Sequence, residues 1–244
     1  MCKNAYTPSD FAALYASFDA PISAINCGER CAPHNEGGAP FCCDLRHAVP
    51  TAYQAEWEYL EQHTDLWHLW QDRSSGKSSS LAEQAPEGQV LIACRGHRAC
   101  QRKFRSLTCR AFPFFPYITV SGEFVGLSYY WEYQDRCWVI SNLHLVDATY
   151  RTQFVTVYDA LFERMPEERE VFRYFSSQMR RLFSRKHRAI PLLHRNGGYY
   201  RITPRNGRQR RIDPAKLPKF GDYQIAAEMP FSDEILSSVS PEQH

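Results

Sequence analysis

Several familiar signatures are missing from this chain. No apolar run in its 244 residues reaches the roughly 18 needed to cross a bilayer. The opening stretch, MCKNAYTPSDFAALYASF, has no basic segment leading into an apolar one. It does not read as a secretory signal, and a cytoplasmic protein with no membrane partner is expected. There is no Walker A loop, no dinucleotide-type GxGxxG after a strand and no HExxH, which removes the best-marked phosphate-cradling and zinc-hydrolase chemistries. No glycine-rich motif marks a methyl-donor site, and no solenoid-type repeat is present. Hydrophobic content of 43% with 23% charged residues excludes whole-chain disorder and is enough for a real core.

Cysteine is what the chain has in excess. The positions are Cys2, Cys27, Cys31, Cys42, Cys43, Cys94, Cys100, Cys109 and Cys137. In a reducing compartment disulfides are rare, so clustered thiols point to metal or to chemistry. The first group reads C-x3-C-x10-C-C, and the second C-x5-C-x8-C, with Cys137 arriving after a hairpin. Thiolates are soft ligands that select zinc, cuprous copper or iron–sulfur clusters. Eight thiols suffice for two four-ligand sites, either [4Fe–4S] or tetrahedral zinc. Neighbouring side chains diverge, so Cys42 and Cys43 fit a single mononuclear ion poorly. They serve two centres, or one of them is not a ligand. The spacing is not that of a zinc ribbon. Cys2 is terminal and unpartnered, and reads as a bystander. The competing interpretation is that free cysteines are simply buried hydrophobes.

Charge is lopsided although the net is only +2. Residues 1–93 carry five Lys/Arg and twelve Asp/Glu, whereas residues 180–220 carry thirteen Lys/Arg and one acid, Asp213. An anionic partner for the C-terminal part, or a solvated basic face, follows from that. Arg95, Arg98, Arg102, Lys103, Arg105 and Arg110 lie among the second cysteines with no acid between them. They would compensate thiolate charge or stay solvated, with phosphate or carboxylate binding as the alternative. His34, His47 and His97 sit in or beside the cysteine loops, where each could replace a thiolate or serve in a hydrogen bond.

Periodicity places helices at residues 7–18 and 50–63, then two more. One carries Tyr150, Phe154, Val157, Tyr158, Leu161 and Met165, and the other starts at Pro166-Glu167-Glu168. Short strands are expected at Ile22–Cys27 and Gln89–Ala93. A hairpin is expected around Ser121-Gly122-Glu123, and another at Asn206-Gly207. Residues 73–88 form a Ser-rich loop, and Asn196-Gly197-Gly198 a turn.

The loop CGERCAPHNEGGAPFCC, followed by the second cysteine group running into Cys109-Arg110-Ala111-Phe112-Pro113-Phe114, resembles the YkgJ-type cysteine-cluster proteins. These are described as zinc- or iron-chelating and include flagellin lysine N-methylase. The resemblance covers roughly residues 22–140. It implies metal ligation by Cys27, Cys31, Cys42, Cys43, Cys94, Cys100, Cys109 and Cys137. The gap from Cys31 to Cys42 is longer than the usual plan, and QRKFRSLT follows Cys100 where the family commonly has Ile-Tyr. Pro113 and Pro116 should hold extended backbone, with phenylalanines keeping water from the metal.

The expectation is therefore an α+β fold with a loop-rich, cysteine-lined core, flanking helices and small antiparallel hairpins. Residues 1–145 would form the metal-binding domain. Residues 146–244 would add a helical pair and a basic hairpin packed on it. The function expected is an iron–sulfur protein of redox or protein-modifying type, acting on a protein substrate. The alternative is a zinc-stabilised binding module whose basic C-terminal surface holds an anionic partner.

Overall fold

The computed structural model describes residues 6–71 and 86–223. Cys2 and most of the Ser-rich loop lie outside the described residues.

The first helix, α1 (Pro8–Ser17), starts where the sequence says it should. Pro8 takes the first position, and the Thr7 N–H donates to Asp10 Oδ2 at 2.7 Å. Its buried side chains are Phe11, Leu14 and Tyr15. The strand expected at Ile22–Cys27 does not form. Ile22 O instead accepts the Asp147 N–H at 3.0 Å, and the segment ends in a short helix, α2 (Cys27–Cys31). The expected helix over 50–63 divides. Its first residues become strand β1 (Thr51–Tyr53), and the helix proper is α3 (Gln54–His63). Pairing decides this: Thr51, Ala52 and Tyr53 stand opposite Leu91, Val90 and Gln89.

Two more strands complete that small antiparallel sheet. β2 (Trp67–Leu69) and β3 (Gln89–Cys94) give the order β1-β3-β2, with Trp67 opposite Cys94. A short helix, α4 (Leu107–Ala111), follows, and the Ser106 hydroxyl accepts the Cys109 N–H at its start.

The larger sheet is a five-stranded antiparallel meander. It comprises β4 (Phe114–Ile118), β5 (Phe124–Tyr129), β6 (Ile190–His194), β7 (Tyr199–Ile202) and β8 (Gln209–Arg211) in that order. Every residue of β4 and β5 is buried. Between β5 and β6 the chain inserts α5 (Trp138–Ser141) and the long pair α6 (Ala148–Arg164) and α7 (Pro166–Arg185). The apolar face of α7, with Phe172, Met179 and Phe183, lies against β4 and β6, and α6 covers β5. The fold is α+β with antiparallel sheets. The meander takes strands from both sides of residue 145, with Gly126 opposite His194. A single apolar core runs from Tyr6 to Phe220. No described helix is long and apolar enough to cross a membrane.

Candidate thiol site

The eight described cysteines sit on or beside six short elements. Cys27 and Cys31 occupy the two ends of α2, one helical turn apart, so both side chains lie on one face. Cys42 and Cys43 lie in a single 3-10 turn, Phe41–Cys43. Cys94 ends β3, Cys100 follows the turn His97–Ala99, Cys109 lies within α4 and Cys137 immediately precedes α5. Helices α2 and α5 touch, which carries Cys137 to the Cys27–Cys31 side. Cys27, Cys94, Cys109 and Cys137 pack against the main core, while Cys31 belongs to a small satellite cluster with Phe41 and Tyr223.

All eight described cysteines are free thiols. Many of them feel one another's charge. Cys137 senses Cys27 and Cys31, Cys94 senses Cys43 and Cys100, and Cys109 senses Cys43, Cys94 and Cys100. Burial, with this mutual repulsion behind it, pushes Cys27 up to about 11, and Cys109 and Cys137 up to about 12. Cys42 and Cys43 have sulfurs 3.9 Å apart. Either sulfur can donate to the other. Cys42 is exposed as a residue, yet atoms pack closely around its sulfur.

One cation stands among the thiols. Arg105 Nε donates to Cys100 Sγ at 3.2 Å, and its charge also faces Cys109 and Cys43. Burial opposes the guanidinium charge, but the thiols outweigh it and the net shift is upward. The other cations of this run do different things. Arg110 donates to the carbonyls of Arg105 (2.8 Å), Lys103 (2.7 Å) and Tyr15 (3.2 Å), and lies over the Tyr15 ring at 4.3 Å. It ties the cysteine loop to α1. Arg95 pairs with Asp65 at 2.7 Å, and Lys103 sits over Phe104.

Two networks with no plain signal in the sequence fix the loops in place. In the first, Asn35 Nδ2 donates to Ala39 O and Asp44 Oδ2 at 2.8 and 3.0 Å, so its Oδ1 is left to accept from His47 Nε2 at 3.2 Å. His47 Nδ1 then accepts from Arg136 at 3.1 Å, because a guanidinium can only donate. Both ring nitrogens of His47 are engaged, and the chain clamps the Cys42–Cys43 loop to the residue before Cys137. The Tyr223 hydroxyl adds a bond to Arg136 O at 3.1 Å. His34 Nδ1 stands 3.1 Å from Asp222 with its ring edge-on to Tyr223, and His97 lies in the turn before Cys100.

The second network centres on Glu56, a fully buried carboxyl on α3. It accepts from the Tyr15 hydroxyl and the Leu107 N–H, both at 2.6 Å, and from the Tyr53 N–H at 3.3 Å. Glu56 thereby joins α1, α3 and the start of the Cys109 helix. Its one trace in the sequence is an acid one turn from Leu60 on the apolar face of a helix.

Aromatic rings border the thiols, among them Tyr150, which senses Cys27 and Cys137, and Tyr133, which senses Cys42. Phe114 and Phe115 are fully buried, with Phe114 6.2 Å from Tyr150 and Phe115 5.1 Å from Tyr130. Among the described residues, no three or more His, Cys, Asp or Glu side chains already stand in metal-holding geometry. Compared with protein-family models, curated proteins and solved structures, the chain matches none.

Proposed function

We propose that this is a metal–thiolate protein in which Cys27, Cys31, Cys42, Cys43, Cys94, Cys100, Cys109 and Cys137 hold iron–sulfur, [4Fe–4S] in type, four thiolates to a cluster. The observation that carries this is that free thiols from distant parts of the chain lie near enough for their charges to interact, with the half-buried Arg105 facing Cys100, Cys109, Cys43 and Cys27. Without a metal the thiols of Cys27, Cys109 and Cys137 keep their protons, and a bound soft cation would displace those protons and neutralise the thiolates. They are the donor set that a soft metal selects. The resemblance to the YkgJ-type proteins agrees with it. A bound cluster would supply electron-transfer or radical chemistry. The chain's own part is to exclude water with Phe41, Tyr150 and Tyr223, and to offset charge with Arg105.

Zinc is the second reading, and one distance favours it. Zinc–sulfur bonds of about 2.3 Å put the edge of a tetrahedral site near 3.8 Å. The Cys42 and Cys43 sulfurs are 3.9 Å apart. In that case the protein is a zinc-stabilised binding module.

Anaerobic purification with a visible spectrum and iron, sulfide and zinc analysis decides between them. Iron and sulfide with broad absorbance support the cluster, and zinc in a colourless protein supports the module. Unchanged metal content and stability after Cys27→Ala, Cys43→Ala, Cys100→Ala and Cys109→Ala together would overturn both.

A further inference from the structure

Helix α7 has a second face with no part in the core. Residues three and four apart share a side of a helix, so Arg173, Ser177, Arg180, Arg181, Ser184 and Arg185 form one stripe. Two adjoining hollows along it share Ser177 and Arg180 and make one groove. At one end stand Val120 and Tyr174, which are 70% and 62% exposed, and Glu170 lines the same end, paired with Arg173. At the other end Pro204, from the β7–β8 turn, closes the wall.

A solvated helix face ordinarily mixes the two signs of charge. Here no Asp or Glu occurs between Glu170 and Asp213. Glu170 is taken by Arg173 at 3.1 Å, and Asp213 is spent on the Ala215 N–H at 2.9 Å. Among the described residues, no carboxylate lies within ion-pair distance of Arg180, Arg181 or Arg185. Arg180 is held in place, donating to Ile118 O at 2.8 Å and to the Tyr117 hydroxyl at 3.3 Å. Beyond Pro204 the hairpin continues the field with exposed Arg205, Arg208, Arg210 and Arg211.

The groove therefore calls for a polyanion, and its two ends say which kind. Guanidinium forks and the Ser177 and Ser184 hydroxyls suit phosphate oxygens. Tyr174 offers an exposed ring on which an unpaired base can stack. We propose that this groove binds single-stranded nucleic acid, with a base against Tyr174 and phosphates along Arg180, Arg181 and Arg185. No cysteine lines the groove, so the assignment stands apart from the metal.

The test uses the full chain and a fluorescein-labelled 12-nucleotide oligo(dT) or oligo(U), read by anisotropy across a salt series. The wild type should bind with log affinity falling linearly in log salt. Arg181→Glu with Arg185→Glu should weaken binding at least tenfold and flatten the salt slope by about 1.4, the share of two phosphate contacts on a single strand. Tyr174→Ala should weaken binding about fivefold or more and leave the slope unchanged. All three positions are exposed, and Arg181→Gln with Arg185→Gln, which should flatten the slope as well, replaces the reversal if that variant fails to fold. No binding at about 50 mM salt, or binding indifferent to the arginine changes, overturns the proposal. So does equal competition by a glutamate polymer with Tyr174→Ala silent, which would make the partner an acidic protein segment.

Discussion

Replacing Glu56 by Gln should change how the protein's stability depends on pH. Burial is the largest influence on this carboxyl and outweighs three hydrogen-bond donors and the nearby Arg110, so it sits at about 7 against an ordinary 4.5. A folded-state value above the unfolded one means that the native protein keeps a proton the unfolded chain releases. The stability linked to Glu56 is complete below about pH 4.5 and is lost as pH rises through about 7. A shift of this size corresponds to about 3 kcal/mol. Glutamine preserves an oxygen for Tyr15 and Leu107 and cannot ionise. Its amide nitrogen cannot accept the Tyr53 N–H as an oxygen of the protonated acid does, so the variant starts lower at low pH by the loss of that 3.3 Å bond. Urea titrations from about pH 4.5 to pH 8.5 should show the variant gaining on the wild type by roughly 3 kcal/mol, most of it between pH 5 and 8. All other titrating groups cancel in the difference. Two parallel profiles, or a wild type that gains on the variant with rising pH, would refute the reasoning.

Two further outcomes follow from other contacts. Arg105→Ala removes the cation bonded to Cys100, and under the proposed metal–thiolate function the variant should release metal to chelator about tenfold faster or more, with Arg105→Lys intermediate. Gly126→Ala should destabilise the protein by about 3 kcal/mol or more in urea unfolding, or leave it insoluble. Gly126 has φ +149°, and an added Cβ would lie 2.2 Å from Leu193 O across the β5–β6 pair.

Much of the scaffold is written locally. Tyr150, Phe154, Val157, Tyr158 and Leu161 repeat at helical spacing, and Pro166 with Glu167 and Glu168 starts the next helix, so α6 and α7 are legible from the residues alone. Asn206-Gly207 likewise marks the turn between β7 and β8. Thr51–Tyr53 does not yield to that kind of reading, because the strand exists only through its partner at 89–91. The same limit applies to the site. The cysteines announce themselves by type, but which thiol senses which is a long-range outcome of folding. The engagement of His47 with Asn35 and Arg136, 12 and 89 residues away, has no local signature. Glu56 is inconspicuous because an acid on a helix is ordinarily solvated, and only the packing of α1 and α4 above it makes it a hub.

The order of strands in the larger sheet also sets a schedule for synthesis. β5 leaves the ribosome with one edge paired to β4 and the other bare, and the residues that cover that edge come roughly 70 positions later. At 5–20 residues per second the edge stays open for roughly 3–14 s. A bare, fully buried-type strand is a template for pairing with a second nascent chain. That interval is spent making α6 and α7, and α6 packs against β5 in the finished protein. That edge stays a pairing template until β6 emerges, and lengthening the chain between β5 and β6 should cost yield in the cell before it costs stability in the tube.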